Sequence, residues 1–434
     1  MMSEQKKIAV GIDIGTTTVS AIVLDGEQVV QIYNVPNDSK LEAENPWEHI
    51  QSPERIFTLV EELLGDILNT YPVSSIGVTG QMHGMLQMSH RGEALSPLYT
   101  WQDTRAKDDN NACDEISRLT PYHIPAGYGL ATQYHLMNKG EVPEQPYYIC
   151  TIMDYIIARL CGNSRPVIHI TNAASWGFYS HTLKNFDLSA LEKLGISEQT
   201  LPLLTEKKEI VGYYKSIPVA VSIGDNQAAF MGAVTKPDST VLLNVGTGSQ
   251  VSLLSEKILE ETSLIEARPY DEKCVLYSGS ALCGGRAYAM LEKLFRTYAV
   301  ACGLPDEPRY DVLNAFAKAG LEQGAVPKIR TTFAGTRENP AVKGSMIEIE
   351  ENNFTPEGFS AGVLYGMVGE LFEMYEKMPH TQIKTIVASG NGVRKNPLLQ
   401  QVIEAIFQLP VTLPDHTEEA AFGAAKFGRE ACEF

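Results

Sequence analysis

An acidic residue and a Gly-Thr turn near the start of the chain have the residue types that bind phosphate. Asp13 ends an apolar run, and Gly15, Thr16 and Thr17 follow it at the head of a second run. The apolar runs within residues 8 to 30 are typical of two consecutive β-hairpins. Hydroxyl and amide donors beside a single carboxylate suit a polyphosphate that carries a divalent cation.

This turn also has a plain structural interpretation. Glycine and threonine are common in turns and strands, so an ordinary hairpin with a Gly-rich turn stays open as the alternative. If a ligand binds here, Gly11 and Gly15 are expected to let it approach the backbone, since glycine carries no side chain.

A second acid lies at the end of a later apolar run. Residues 217 to 225 finish at Gly224 and Asp225, and Asn226 begins a stretch typical of the first turn of a helix. The dipole at a helix N-terminus favours an ionised carboxylate, so Asp225 is expected to be charged at neutral pH. A simple helix N-cap is the structural alternative.

The polar segment that begins at Trp101 is typical of a sugar site. Residues 101 to 105 combine Trp101 with an amide, Asp103 and a base, so that the polar groups can bond hydroxyls while the ring covers an apolar face. A solvated loop with its Trp anchored in the core is the alternative. Residues 81 to 84 follow a predicted strand at 74 to 80, and ligands are expected at strand ends.

The second half of the chain repeats the pattern of the first. Residues 239 to 256 predict a strand, a turn at Gly246, Thr247 and Gly248, and a second strand. A polar stretch containing Pro237 precedes them. We therefore expect a duplicated domain, with domains at 1–235 and 236–434 and a shared cleft.

Near the end of the chain, a predicted strand at 383 to 390 runs into a Gly-rich turn and a helix carrying Gln401. Such a turn leaves room for a flat ligand such as adenine. Residues 420 to 428 are small, which by itself indicates tight packing. The chain has neither a GxxxxGK[ST] sequence nor a GxGxxG sequence after a strand.

Composition restricts the partners. The chain has 434 residues, 44% of them hydrophobic, and a formal net charge of −18, which disfavours nucleic acid and anionic membranes as partners. The seven cysteines are scattered without CxxC spacing, so neither a disulfide framework nor a zinc site is expected. The first residues have no apolar signal segment, and no run of membrane-spanning length follows, which predicts a cytoplasmic protein.

Several motifs, taken in order along the whole chain, resemble the FGGY carbohydrate kinases, relatives of actin and the heat-shock ATPases. The motifs are IAVGIDIGTTTVSAIVLD, GVTGQMHG, TWQDTR, SIGDNQAA, VGTGSQ and SGNGVRKNPLLQQ. The resemblance implies an α/β fold of two duplicated actin-like, ribonuclease H-like ATPase domains with an interdomain cleft. The chain departs from the family at Asn391, where three consecutive glycines are common.

The resemblance also implies residue roles. Asp225 matches the catalytic base, and Asp13 matches the carboxylate that holds the magnesium of the nucleotide. The implied contacts are Gly15, Thr16, Thr17, Gly246, Thr247 and Gly248 for phosphate, Gly390, Asn391, Asn396 and Gln401 for adenosine, and Gln81, Met82, His83, Trp101, Asp103 and Asn226 for the sugar. His83 has a structural alternative as a core histidine.

The implied activity is transfer of the γ-phosphate of ATP, with Mg²⁺, to the terminal primary hydroxyl of a ketose. Within the family, the segments DYIIARLCG at 154 to 162 and NAASWGFY at 172 to 179 are most similar to the sedoheptulokinases, and sedoheptulose is therefore the first candidate. Xylulose or another pentulose is the alternative. An inactive nucleotide-binding regulator is less favoured because both acids and both Gly/Thr turns are present, and a homodimer is a further possibility.

Overall fold

The computed structural model describes residues 8–107, 111–258, 264–336, 339 and 341–433. Residues 1 to 7, where the sequence predicts no targeting segment, lie outside the described residues. Within the described ranges, the helices are all too short or too polar to cross a membrane.

The α-helices in the described residues range from one turn to twenty residues. They are α1 (Pro53–Thr70), α2 (Ala112–Leu119), α3 (Gly129–Lys139), α4 (Ile152–Cys161), α5 (Ile170–Ala173), α6 (Leu188–Lys193), α7 (Asp225–Ala233), α8 (Gly285–Ala301), α9 (Tyr310–Gln323), α10 (Pro356–Tyr375), α11 (Asn391–Arg394), α12 (Pro397–Phe407) and α13 (Glu419–Ala431). Helix α1 begins after Ser52, whose side chain accepts from the Arg55 N–H as an N-cap.

The strands in the same residues are mostly short. They are β1 (Ile8–Ile14), β2 (Thr18–Asp25), β3 (Gln28–Pro36), β4 (Ile50–Gln51), β5 (Val73–Gly80), β6 (Leu86–Ser89), β7 (Leu98–Tyr99), β8 (Tyr147–Cys150), β9 (Val167–His169), β10 (Tyr179–Ser180), β11 (Asn185–Phe186), β12 (Leu203–Thr205), β13 (Ile210–Tyr214), β14 (Ile217–Ala220), β15 (Thr240–Val245), β16 (Ser249–Ser255), β17 (Glu266–Pro269), β18 (Val275–Ala281), β19 (Lys328–Arg330), β20 (Ser345–Ile347), β21 (Thr385–Ser389) and β22 (Val411–Thr412).

The chain forms two compact units. Unit 1 contains residues 1–232, 269–273 and 418–434, and unit 2 contains residues 233–268 and 274–417. The expected boundary at 235 lies close to the junction at 232. The expected second domain runs unbroken to residue 434, whereas the structure assigns helix α13 to unit 1, because its apolar face packs on the sheet of that unit.

The central sheet of unit 1 has the strand order β13-β14-β5-β1-β2-β3. Strands β1, β2 and β3 are consecutive antiparallel neighbours, as the predicted hairpins require, and β5 lies parallel to β1. The central sheet of unit 2 has the order β17-β18-β16-β15-β21-β22, in which β15 and β16 are antiparallel and β21 lies parallel to β15. Both units therefore share an antiparallel meander extended by parallel strands, which agrees with the expected duplication.

Helix α13 approaches the strands of unit 1 so closely that only glycine fits beneath it. A methyl group at Gly11 would overlap the backbone of Ala421, and one at Gly77 would overlap the carbonyl oxygen of Ala424. The expectation that Gly11 admits a ligand is therefore wrong, because the helix takes that space. The tight packing predicted for residues 420 to 428 is present.

Candidate functional site

Polar side chains donate hydrogen bonds to the backbone of the turn that follows β1. Asn37 Nδ2 donates to the Gly15 carbonyl oxygen, and Gln51 Nε2 donates to the Thr16 carbonyl oxygen, both at 2.8 Å. The Thr17 carbonyl oxygen accepts from the Asn37 backbone N–H at 2.9 Å. The turn is therefore held in one conformation by its surroundings. Asn37 and Gln51 stand outside any local motif, so sequence reasoning did not find them.

The Thr16 hydroxyl joins the predicted phosphate turn to the predicted sugar segments. It donates to Gln81 Oε1 and accepts from Trp101 Nε1, each at 3.2 Å. Gln81 is buried, and its Nε2 donates to Gln51 Oε1 at 2.7 Å. Trp101 is 48% exposed, so its ring is available to cover the apolar face of a sugar, and the core-anchored alternative is wrong.

Asp13 lies where β1 ends, paired in register with Thr79 of β5. Its pKa is raised to about 7, first by burial and then by the negative charges of Asp225 and Glu418. All three acids belong to unit 1. Each of these carboxylates would be stabilised by an opposite charge placed among them, so the site favours a cation.

The carboxylates at this site fit Mg²⁺ that is coordinated by few protein ligands. In the described part of the chain, no three His, Cys, Asp or Glu side chains are arranged to hold a metal by themselves. Mg²⁺ commonly takes one or two carboxylates and completes its shell with water and phosphate oxygens. Asp13, which is partly accessible, is the carboxylate that would serve.

Asp225 is the first residue of helix α7. The Gly224 carbonyl oxygen accepts from the Ala228 N–H at 2.9 Å, so Gly224 takes the capping position and the N-cap interpretation of Asp225 is wrong. Asp225 Oδ1 accepts from Asn226 Nδ2 at 2.6 Å, and the same amide lies 3.5 Å from Met82 Sδ. The predicted base and two predicted sugar contacts are therefore neighbours.

His83 is held in a left-handed backbone conformation with φ of 72°. Its ring stacks on Tyr128 with centroids 4.4 Å apart, and its Nδ1 lies 2.9 Å from the Ser175 carbonyl oxygen. A carbonyl oxygen only accepts, so Nδ1 carries the proton and Nε2 of the neutral ring is an acceptor. The ring is partly exposed, which supports a sugar contact over a core position.

Asp103 is placed differently from the expectation. It is fully buried, and Arg105 donates to its two carboxylate oxygens at 2.8 and 3.0 Å. The backbone N–H groups of His49 and Arg105 also donate to them at 3.0 and 3.1 Å. Both oxygens are thus occupied by protein donors. Asp103 therefore shapes the loop that carries Trp101, and its assignment as a direct sugar contact is corrected.

The second Gly-Thr turn belongs to unit 2 and packs on the start of α8. The Gly246 N–H donates to the Gly248 carbonyl oxygen at 2.9 Å. The Gly285 N–H then donates to the Gly246 carbonyl oxygen at 2.8 Å, and the Arg286 N–H donates to the Thr247 carbonyl oxygen at 3.1 Å. The turn therefore lies against the N-terminus of α8, and the first backbone N–H groups of that helix hold the turn in place.

Unit 2 contains a cavity of about 790 Å³ beside this turn. The predicted residues that line it are Gly246, Thr247, Gly390, Asn391 and Asn396. Its walls also include Arg286, Tyr288, Asn314, Leu364, Met367 and Lys395, which sequence reasoning did not identify. An apolar cavity with a few amides and cations has the size and chemistry of a nucleotide site.

Two predicted contacts lie outside the lining of this cavity. Gln401 is exposed on α12, and Gly248 packs against the backbone at Ala281. Both stay predicted nucleotide contacts, although neither is among the residues that line the cavity. Gly390, by contrast, has φ of 91°, and a side chain there would overlap the Val245 carbonyl oxygen, so the turn requires glycine.

Two cations line the cavity near its polar groups. Arg286 follows the Gly284-Gly285 pair, and Lys395 follows α11. Within the described residues, neither forms an ion pair with an acid. Tyr288 donates from its hydroxyl to Asn314 Oδ1 at 2.8 Å, and burial raises its pKa above the usual range. The Gly-Gly pair opening a helix was the sequence signal that could have identified Arg286.

Known proteins of similar sequence cover the whole chain. Sedoheptulokinase from Mus musculus is 26% identical over 465 residues, which span 97% of both chains. Xylulose kinase from Staphylococcus xylosus is 25% identical over 96% of this chain and 89% of its own. Gluconate kinase from Lactobacillus acidophilus has a similar fold, with a TM-score of 0.85 at 19% identity over 99% of this chain and 90% of that one. Xylulose kinase from the same organism has a TM-score of 0.83 at 20% identity, over 98% of this chain and 90% of that one.

Two family models divide the chain between them. The model of the N-terminal domain of the FGGY family of carbohydrate kinases matches residues 8–235, and that of its C-terminal domain matches residues 241–431. These matches contain the acids of unit 1 and the cavity of unit 2. The actin-like α/β fold expected from the sequence is confirmed. The chain belongs to the FGGY family of carbohydrate kinases.

Proposed function

We propose that this sugar kinase transfers the γ-phosphate of ATP to the terminal primary hydroxyl of a ketose, with sedoheptulose as the first candidate. The observation that carries the proposal is the charge coupling of Asp13 with Asp225, close to the hydrogen-bonded group of Thr16, Gln81 and Trp101. One acid suits a metal-bound phosphate and the other suits a hydroxyl.

Asp225 is assigned as the base. Phosphoryl transfer requires in-line placement of the two substrates and a group that accepts the proton of the attacking hydroxyl. The new O–P bond forms as the bond from the γ-phosphorus to the bridging oxygen breaks, and the hydroxyl proton passes to the Asp225 carboxylate. Asn226 holds that carboxylate through its 2.6 Å bond.

The nucleotide is assigned to the cavity of unit 2. Its apolar walls suit adenine, and its backbone turn at Gly246 and Thr247 suits phosphate. Asp13 would hold Mg²⁺, which neutralises phosphate charge when it is bound.

The sugar is assigned to the loops of unit 1. The exposed ring of Trp101 can cover an apolar face, while Gln81, His83 and Asn226 supply hydrogen-bonding groups. The mouse and human sedoheptulokinases, at 26% and 25% identity over 97% of this chain, support a seven-carbon ketose. The xylulose kinase of Staphylococcus xylosus, at 25% identity, supports a pentulose as the second candidate.

A substrate panel tests the proposal. ADP release is measured with sedoheptulose, xylulose, ribulose, gluconate and glycerol, each against an assay without sugar. We expect the highest kcat/KM for sedoheptulose. A higher value for xylulose would favour the alternative, and the absence of stimulation by every ketose would refute the proposal. A homodimer and a cytoplasmic location stay predictions, which sedimentation and cell fractionation would test.

A further inference from the structure

Asp154 is a buried acid outside the proposed substrate contacts. It lies in α4 and is 1% exposed. Thr151 Oγ1 donates to Asp154 Oδ2 at 2.7 Å and accepts from the Asp154 backbone N–H at 3.1 Å. This reciprocal pair is a helix-capping arrangement. Capping accounts for one carboxylate oxygen and leaves the other to be explained.

The other oxygen reaches the segment that leads to Asp225. Ser222 Oγ donates to Asp154 Oδ1 at 2.5 Å, and Ser222 is fully buried. Strand β14 ends at Ala220, so Ser222 lies in the connection between that strand and α7. Asp154 therefore anchors the connection three residues before the proposed base.

A second set of bonds runs from Ser222 to His83. Asn172 Nδ2 donates to Ser222 Oγ at 2.8 Å, and Ser175 Oγ donates to the Asn172 carbonyl oxygen at 2.6 Å. The His83 backbone N–H donates to Ser175 Oγ at 3.2 Å. A continuous chain of hydrogen bonds thus links Asp154 to the residues before Asp225 and to the His83 loop.

Helix capping alone does not require this burial. A capping acid works equally well at the surface, whereas removing a carboxylate from water is costly. Burial raises the pKa of Asp154 to about 7, and the Ser222 and Thr151 hydroxyls act against that rise by bonding the ionised form. The position of the acid is therefore better explained by what it holds in place.

We propose that Asp154 is a positioning residue that, through Ser222, sets the placement of Asp225 and, through Asn172 and Ser175, supports the loop of His83. The inference rests on the proposed function, because it concerns the base assigned there. Misplacing a reacting group by about 1 Å can cost about 100-fold in rate. Loosening this network should therefore lower turnover while the binding groups remain.

Two substitutions separate positioning from capping. Ser222→Ala removes the hydroxyl that links Asp154 to the connection, and Thr151→Val removes the hydroxyl that caps the helix. Each deletes one donor to the same carboxylate. We expect Ser222→Ala to lower kcat about 10- to 100-fold with the KM for sugar within about threefold. Thr151→Val should lower the Tm by a few degrees with kcat within about twofold.

The second set of bonds predicts the opposite kinetic effect. Ser175→Ala removes the acceptor of the His83 N–H, so it should raise the KM for sugar about threefold to tenfold with a smaller change in kcat. Asp154→Asn should combine a lower kcat with a higher KM. Thermal melting of each variant shows whether it is folded.

Several results would overturn the inference. One is a folded Ser222→Ala protein with wild-type kcat. Another is that Ser222→Ala and Thr151→Val lose kcat equally, each in proportion to its loss of Tm. Asp225→Asn is measured in the same series. If it keeps wild-type kcat, the proposed base is wrong and the inference falls with it. If it is inactive while Ser222→Ala is fully active, only the inference falls.

Discussion

At the scale of single residues, the two acids of unit 1 are held in different ways. Asp13 ends a central strand and is surrounded by negative charge, whereas Asp225 opens a helix and is bonded to the neighbouring Asn226. These settings suit a metal-bound phosphate for Asp13 and a proton for Asp225. Their roles can therefore be separated by substitution.

Asp225→Asn tests the proton acceptor. We expect kcat to fall about 10²- to 10⁴-fold, the usual contribution of a general base, because the amide cannot take the hydroxyl proton. The dissociation constant for sugar should change little, since asparagine keeps the shape of the side chain. Coupled ADP release and calorimetry measure the two quantities. Asp66→Asn, an exposed acid on α1, is the control, and an equal effect there would contradict the assignment.

Asp154 gives the protein a specific pH dependence of stability. Its pKa of about 7 in the folded state lies above the ordinary aspartate value of 3.8, so the folded protein binds more protons than the unfolded chain between these two pH values. Its contribution to the free energy of unfolding is therefore present at low pH and is lost as the pH rises through 7. Between pH 5 and pH 8 the loss amounts to about 2–3 kcal/mol.

The corresponding measurement compares wild type with Asp154→Asn. Urea unfolding at pH 5 and pH 8 gives the change in unfolding free energy for each protein. From pH 5 to pH 8, we expect the free energy of unfolding of the wild type to fall by about 2–3 kcal/mol more than that of Asp154→Asn. Other titrating groups, such as the buried His169, are common to both proteins and cancel in the difference. Equal changes in the two proteins would show that Asp154 is already ionised at pH 5.

Residue types at the ends of strands could be predicted from the sequence, but the directions of side chains could not. The Thr16 turn and Trp101 were predicted separately, and the structure joins them by a hydrogen bond. Asp103 has the right type and place for a sugar ligand, yet its oxygens are taken by Arg105 and backbone donors. Which donor reaches a carboxylate depends on tertiary packing, which short motifs do not encode.

At the scale of elements, the contact of α13 with the sheet sets a limit on side-chain size. Gly77→Ala would push a methyl group into the backbone of that helix, so we expect the free energy of unfolding of unit 1 to fall by about 1–3 kcal/mol or more. Gly65→Ala is the matched control, because a Cβ there meets no atom within 4 Å and lies in the interior of α1. It should stabilise by about 0.5–1 kcal/mol. Urea unfolding measures both, and equal effects would refute the close contact.

The start of α8 carries a cation whose removal should affect ATP binding. Arg286 lines the cavity beside the turn at Gly246 and Thr247, where the phosphates of a nucleotide are proposed to bind. Arg286→Gln should raise the KM for ATP about threefold to thirtyfold, because a charge-assisted contact is lost, and leave the KM for sugar unchanged. Lys318→Gln, an exposed cation on α9, is the control. A rise in the KM for sugar instead would contradict the assignment of the cavity to nucleotide.

At the scale of the whole molecule, unit 1 is built from stretches that lie on either side of unit 2 in the sequence. The family models match residues 8–235 and 241–431, and the boundary expected from the sequence lies at 235. The repeated Gly-Thr pattern of the sequence led to that expected boundary. It could not assign α13, whose small residues indicate close packing without naming the partner.

Ending the chain after Thr417 tests the assignment of α13. Without the helix, β1 and β5 expose the surface that it covers, so we expect unit 1 to lose its folded structure. Unit 2, residues 233–268 and 274–417, keeps all of its residues, so ADP binding by calorimetry should persist while sugar binding is lost. Retained sugar binding would show that the helix is dispensable. Loss of both would show that unit 2 depends on unit 1.

The placement of α13 also affects how the protein matures during synthesis. The ribosome makes Asp13 and Asp225 before unit 2, but helix α13, which packs against Gly11 and Gly77, is made only after residue 417. Until then, all residues of the cavity in unit 2 have been made, but the sheet of unit 1 lacks the helix that covers it. The sheet that carries Asp13 can therefore be completed only after the whole of unit 2 has been translated.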